Sequence, residues 1–382
     1  MKILQSTIRY SPAVGGVEEY VKNISERLAG LGHSVKVFCS DLKEYDTATR
    51  INEPQDFLKG VQTRRFKTIP WRVDNYAIMP SLFPAILKQR VDLIHAHCFM
   101  YFPFDAAVTA ARLKGIPLVI NPYLSELGRP SLMGKFYRKI LGKLAVSADA
   151  VIAISEYEKT LIKKWGFRPK RLEIIHPGVD LNEFAQVKND FFHEFGLEDK
   201  KILLFVGRLD RNKGVDLLIK AMPLILKEIP DSHLVIIGPD CGFKEELKWL
   251  GIKTKVNEKV IFLSNLKREK VIAAMKSAAL LILPSRYEAF GIVLIEAMAA
   301  RLPVLATNHS AIPGVINNGI DGLLFSLDNY TELAQKAAEL IKNEKLRNQI
   351  IETAWQKVKN NFDWDKSAKK MEEIYLSLRN GK

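Results

Sequence analysis

Residues 285–300 read Ser-Arg-Tyr-Glu-Ala-Phe-Gly-Ile-Val-Leu-Ile-Glu-Ala-Met-Ala-Ala and set two carboxylates, Glu288 and Glu296, eight positions apart around Phe290, Gly291 and Ile292. From Gly291 onward the run predicts a helix with no polar face other than Glu296. A helix that is apolar all round is buried, and an ionised carboxylate buried alone is too costly to persist. Glu296 therefore needs a partner, which is either a core arginine or a ligand. Glu288 follows an apolar strand, Leu280–Leu283, and stands near the helix N-terminus, where backbone N–H groups gather around an anion. The chemistry this suits is a phosphate-bearing ligand whose hydroxyls reach two acids. The same residues also admit a purely structural arrangement, with Glu296 salt-bridged in the core and Glu288 solvated on a loop.

Two further loops have the residue types to meet such a ligand. After the predicted strand Ile202–Val206 comes Gly207-Arg208-Leu209-Asp210-Arg211-Asn212-Lys213-Gly214, a glycine-bounded loop at a helix entrance. Arg208 brings a planar fork and Lys213 a point charge, a pairing suited to a diphosphate, although a loop salt bridge would use the same residues. After the first strand, Gly15 and Gly16 lead into an amphipathic helix marked by Val17, Val21, Ile24 and Leu28. Glycines there let backbone approach a phosphate closely, but no G-x-G-x-x-G or Walker A pattern accompanies them. His95 and His97 close another strand, and their spacing puts both imidazoles on one face with His97 nearer the strand end. No third ligand at metal-binding spacing follows them, so no metal is expected. Asp363-Trp364-Asp365 precedes a helical pattern and is read as a cap of the last helix rather than a cation site.

The elements that must position these residues alternate along the chain. Near-continuous apolar strands run Ile3–Ile8, Val35–Ser40, Leu93–His97, Pro117–Asn121, Ala150–Ile154 and Leu172–Ile175, and again Ile202–Val206, His233–Ile237, Val260–Leu263, Leu280–Leu283, Val304–Thr307 and Leu323–Phe325. Helical patterns separate them, which predicts parallel sheets covered on both faces. The series runs twice, with a break near His176–Lys201. Ligands of such sheets bind beyond the C-terminal strand ends.

At 382 residues the chain has the length of about two domains. No apolar run reaches the roughly 18–20 residues of a membrane span, and Met1-Lys2-Ile3-Leu4-Gln5 opens into a strand, so a cytoplasmic location is expected. Cys39, Cys98 and Cys241 are scattered and odd in number, which suits a reducing compartment. The net charge of +14 is uneven: Phe57–Lys143 alone carries 14 basic and 4 acidic side chains. Nucleic acid is not expected, because no helix-turn-helix, zinc-finger or RNP pattern is present. An anionic membrane surface fits better, through the basic amphipathic stretch Ser131–Ala148 with Lys135, Arg138, Lys139 and Lys143, and through Arg64, Arg65, Lys67 and Arg72. A solvated basic helix face would show the same pattern.

Taken together, Gly15-Gly16, His97, Gly207-Arg208 with Lys213, and Glu288-Ala-Phe-Gly-Ile-Val-Leu-Ile-Glu296 resemble the family 4 retaining glycosyltransferases of GT-B fold, over nearly the whole chain. The resemblance implies two doubly wound Rossmann-like domains facing a cleft: an acceptor domain over 1–180, a donor domain over 181–364, and a last helix, about 365–382, packed back on the first. It implies that Arg208 and Lys213 hold the donor diphosphate, with backbone at Gly15, Gly16 and Phe290, Gly291, Ile292. Glu296 would take the ribose hydroxyls, Glu288 the transferred sugar, and His97 would meet that sugar. The implied reaction moves a hexose-type sugar from a UDP- or GDP-linked donor, without metal or other cofactor, to a glycan or lipid-linked acceptor. Arg301, Ser264, Ala311 and Gly314 depart from residues frequent in the family. A nucleotide-sugar epimerase of the same fold and a non-catalytic nucleotide-sugar-binding subunit are the competing readings.

Overall fold

The computed structural model describes residues 1–43, 49–69, 77–126, 148–264 and 266–380, which divide into two compact units. Unit 1 comprises Met1–Pro177 with Trp364–Lys382, and unit 2 comprises Gly178–Asp363. The division falls at Pro177–Gly178, just ahead of the boundary expected at residue 180.

Unit 1 is built on an eight-stranded sheet of order β3-β4-β2-β1-β5-β6-β7-β8. Its strands are β1 Lys2–Ser6, β2 Ser34–Ser40, β3 Gln55–Leu58, β4 Val61–Phe66, β5 Leu93–His97, β6 Leu118–Asn121, β7 Ala150–Ala153 and β8 Arg171–Ile174. All neighbours are parallel except β3 with β4. From β1 the chain first builds outward through β2 and β4, then returns to place β5 on the other side of β1. That reversal puts the ends of β1 and β5, hence Gly15-Gly16 and His97, at the switch point where ligands of such sheets sit. The segment Trp364–Asn380 forms a helix that packs against Gly16–Gly30, with Trp364 edge-on to Tyr20 at 5.7 Å and Arg27 paired to Asp365 at 2.7 Å.

The β3–β4 hairpin is absent from the sequence reading. Its turn is Lys59-Gly60, both at positive φ (48° and 80°), the conformation of a tight hairpin turn. Strand β4 alternates inward and outward, which separates two arginines that the sequence placed in one basic stretch. Arg64 faces out over the Phe66 ring, whereas Arg65 is buried, donating to Asp56 (2.6 Å) and to the carbonyls of Ser11 (2.6 Å) and Glu53 (3.0 Å). Arg65 is therefore corrected from a lipid-facing cation to a core ion-pair residue. Arg72 and residues 131–147 lie outside the described residues, and so does most of the basic amphipathic stretch.

Unit 2 holds an all-parallel six-stranded sheet of order β11-β10-β9-β12-β13-β14. The strands are β9 Lys201–Val206, β10 Ser232–Ile237, β11 Val260–Leu263, β12 Leu280–Leu283, β13 Val304–Thr307 and β14 Leu323–Phe325. The chain runs outward from β9 to β11 and then crosses back to β12. The switch point therefore lies between β9 and β12, whose C-terminal loops are 207–214 and 284–291. The right-handed crossover rule puts the helices Val215–Glu228 and Lys244–Lys253 on one face and the helices Arg268–Ser277 and Ile292–Ala299 on the other.

The two switch-point loops touch at Gly214, which takes a φ of 65° at the entrance of helix Val215–Glu228. A Cβ there would stand 2.1 Å from the Pro284 carbonyl oxygen. Gly214→Ala thus adds a left-handed strain to a backbone clash, and the expected loss is about 2–4 kcal/mol of unit 2 stability. Urea unfolding followed by the intrinsic fluorescence of unit 2 checks it, and an unchanged midpoint contradicts it.

Candidate active site

In unit 2 the structure brings the 207–214 loop and Glu288 together. Asp210 caps the short 3-10 turn Arg211–Lys213 by accepting from the Asn212 N–H (2.9 Å), and it pairs with Arg208 at 3.4 Å. Lys213 donates to Glu288 Oε1 at 2.6 Å, and the Ser285 hydroxyl donates to the same oxygen at 2.8 Å. The Glu288 N–H is bound by the Ser310 hydroxyl at 2.9 Å. Both charged side chains are largely shielded, at 18% and 11% exposure, so each needs the other. Arg286, two residues before Glu288, anchors this loop by a two-pronged contact with Asp216 (2.9 Å each) and by Asp328 (2.7 Å). Arg211 turns away to Glu246 and the Phe243 ring, and it walls a groove of about 780 Å³ with Trp249 rather than joining Lys213.

Glu296 sits on helix Ile292–Ala299, 9% exposed, and its partner is an arginine. Arg268 donates to its Oε1 at 2.5 Å, spans Glu183 at 3.2 Å and lies over the Phe184 ring. Burial opposes the Arg268 charge, but the Glu296 and Glu183 carboxylates outweigh it and hold the guanidinium well above its ordinary pKa. Of the two arrangements the sequence left open for Glu296, the structure contains an arginine partner, but one on the surface, with Arg268 40% exposed, rather than in the core; a ligand would meet a carboxylate already held in place. Phe290 turns its ring into the core against Phe362 (5.6 Å), so only its backbone, with Gly291 and Ile292, borders the helix N-terminus.

In unit 1 His97 is wholly covered, at 1% exposure. Its Nε2 is 2.7 Å from Gln5 Oε1, its Nδ1 is 3.4 Å from the Tyr123 hydroxyl, and the Tyr123 ring stacks along it. His95 lies 4.1 Å away ring to ring. Burial, then the neighbouring imidazole, pushes the His97 pKa well below its ordinary value, and burial alone does the same for His95, so both are neutral. The sequence placed His97 at the strand end nearest the cleft; the structure buries it there, with Tyr123 stacked along it and Gln5 on its Nε2. Gly16 is exposed at the start of helix Gly16–Gly30. Gly15 is needed for a local reason: its Cβ would stand 2.2 Å from Glu18 Oε2, which belongs to the buried pair Arg9–Glu18 at 2.5 Å.

Sequence reasoning missed Arg268, Ser285, Ser310, Gln5 and Tyr123. The demand for a Glu296 partner was a signal for Arg268, but only the shared sheet face of the two helices identifies it. Asp363-Trp364-Asp365 heads the last helix, with Asp365 turned to Arg27 and Trp364 in the core. Among the described residues no group of three or more His, Cys, Asp or Glu is arranged as metal ligands.

The family description "Glycosyl transferases group 1" matches residues 187–357, and "Glycosyltransferase Family 4" matches residues 14–183. An uncharacterized glycosyltransferase of Methanocaldococcus jannaschii is 29% identical over 98% of each chain. Sucrose-phosphate synthase from Thermosynechococcus elongatus superimposes with a TM-score of 0.83 at 21% identity, covering both chains fully. Anabaena HepE in complex with UDP-glucose gives a TM-score of 0.79 at 21% identity, over 99% of this chain and 100% of that one. These structures share the GT-B fold with this chain.

Beneath the loop that carries Tyr123, the fully buried Glu158 accepts from the N–H groups of Ile154 (2.8 Å) and Leu124 (3.0 Å). Burial pushes its pKa up from 4.5 to about 7, with these N–H groups opposing. The folded chain thus keeps a proton that the unfolded chain releases, and this contribution to stability is lost as pH rises from about 4.5 through about 7. Urea titrations should show roughly 2–3 kcal/mol of stability lost across that window. In Glu158→Gln that component of the slope disappears; an unchanged slope contradicts the assignment.

Proposed function

This chain belongs to the group 1, family 4 glycosyltransferases of GT-B fold, and from that premise we propose that it moves a hexose-type sugar from a UDP- or GDP-linked donor to an acceptor with retention of configuration. The observation that carries the proposal is the Lys213–Glu288 pair, held between the two switch-point loops with Arg208 on the same loop as the lysine. Such a site offers a diphosphate one fork, one ammonium and the N–H groups at the start of helix Ile292–Ala299. As the sugar–phosphate bond breaks, charge accumulates on the departing diphosphate, and these fixed cations stabilise it without reorganising. No metal is needed for that role, and no other cofactor enters the reaction.

Glu288, oriented by Ser285 and Lys213, accepts from hydroxyls of the transferred sugar. Glu296, held by Arg268, accepts from the ribose diol. The family resemblance assigns to the neutral His97 a contact with the transferred sugar and to the Gly15-Gly16 backbone a contact with the donor phosphates. The acceptor attacks the face from which the diphosphate departs. The UDP-glucose bound by the Anabaena neighbour supports a uridine diphosphate donor. The excess of basic residues between Phe57 and Lys143 supports a glycan or lipid-linked acceptor presented at an anionic surface on the cytoplasmic side. No helix among the described residues is long and apolar enough to cross a membrane.

The test is incubation with UDP- and GDP-hexoses in excess chelator. Release of nucleoside diphosphate with free sugar of unchanged anomeric configuration is the expected result; an epimerised donor, or no turnover of any donor, overturns the proposal. Arg208→Ala should weaken a nucleoside diphosphate by about 1.5–3 kcal/mol, roughly 10- to 100-fold, and leave the nucleoside unaffected. Equal weakening of both in titration calorimetry removes Arg208 from the clamp.

A further inference from the structure

Five buried polar side chains in unit 1 form one chain of hydrogen bonds that ends on His97. Asn121 Oδ1 is 2.7 Å from His95 Nε2, and His95 Nδ1 is 2.5 Å from the Tyr375 hydroxyl. That hydroxyl is 3.3 Å from Gln5 Nε2, and Gln5 Oε1 is 2.7 Å from His97 Nε2. With the Asn121 and Gln5 amides in this orientation, the proton positions follow in sequence. An amide oxygen only accepts, so His95 carries its proton on Nε2. Burial keeps the ring neutral, so its Nδ1 is bare and takes the Tyr375 O–H. The Tyr375 oxygen is then left to accept from the Gln5 amide, which turns the Gln5 carbonyl toward His97. A carbonyl can only accept, so His97 holds its proton on Nε2 and its Nδ1 is bare.

From this geometry we infer that Gln5 and Tyr375 are positioning residues that fix His97 as the Nε2–H tautomer, so that it meets a sugar hydroxyl as an acceptor through Nδ1. The inference rests on the reading that His97 meets the transferred sugar. The Tyr123 hydroxyl, 3.4 Å from Nδ1, is the long contact of the set, and a sugar hydroxyl replacing it as donor would shorten that bond. Tyr375 comes from the helix Trp364–Asn380, which follows unit 2 in the chain but belongs to unit 1. The orientation of His97 therefore depends on a helix that lies beyond unit 2 in the chain.

The experiment uses the full chain labelled with 15N-histidine, with long-range imidazole correlations at pH 7 and His97 identified by its loss in His97→Gln. The wild type should show a protonated Nε2 and a bare Nδ1 at His97. Gln5→Met should mix the two tautomers and lower kcat at least tenfold with donor KM within twofold. Tyr375→Phe, which removes only an oxygen, should act in the same direction and guards against a folding defect in the first variant. A wild-type His97 protonated on Nδ1, or a tautomer that neither variant moves, overturns the inference. Variants that shift the tautomer with kcat unchanged overturn the positioning role. If the wild type turns over no donor, the functional reading fails on its own, because the tautomer is measured without catalysis.

Discussion

Unit 2 is organised by the need of two shielded carboxylates for cations. Glu288 and Glu296 both lie where water cannot fully solvate them, and each is matched by a cation delivered from a different crossover: Lys213 from the loop after β9, Arg268 from the helix after β11. Neither cation is near its acid in sequence. The sheet order β11-β10-β9-β12-β13-β14 is what brings them together, since it sets β9 beside β12 and puts the helices after β11 and β12 on one face. A purely apolar switch point would pack more cheaply. The two pairs differ in depth, since Lys213 and Glu288 are both shielded whereas Glu296 is shielded and Arg268 is 40% exposed.

Unit 1 meets the same problem with neutral groups. Gln5, His95, His97, Asn121 and Tyr375 are all buried, and burial keeps the imidazoles uncharged. The network pairs its groups by direction rather than by charge, and each donor assignment constrains the next, although the buried Asn121 Nδ2 makes no hydrogen bond within it. Separate from it, Arg9 and Glu18 form a buried ion pair under the glycine loop, and that pair accounts for the absence of a side chain at Gly15. The backbone opening at Gly15-Gly16 thus has a structural cause beside any phosphate it receives.

Much of the fold was legible because buried parallel strands must be continuously apolar. All twelve runs read as strands are strands, among them Leu93–His97, Val260–Leu263, Leu280–Leu283, Val304–Thr307 and Leu323–Phe325 with identical ends. The hairpin Gln55–Phe66 was missed for the complementary reason: β3 is an exposed edge strand, and β4 alternates with arginines at 64 and 65. Composition reads two adjacent arginines as one basic stretch, whereas the pleat sends them to opposite faces. Arg301 illustrates a further limit. It takes a φ of 57°, in the left-handed region that favours glycine, tied down by Glu352 (2.9 Å) and the Trp355 ring. Nothing in its residue type announces a left-handed backbone.

What the sequence determined alone was where the candidate residues stand in their elements: a glutamate within an apolar helix, a glycine-bounded loop after a strand holding Arg208 and Lys213, a histidine closing a strand. Those are local facts of periodicity and residue type. Only the tertiary structure decided the partners. Glu296 meets Arg268 rather than an empty pocket, Lys213 meets Glu288, and His97 lies covered by Tyr123 and held by Gln5. Each of these contacts joins residues from different strands or from different crossovers. Burial cost demands that a partner exist, but it is the order of strands in the sheet that selects which one it is.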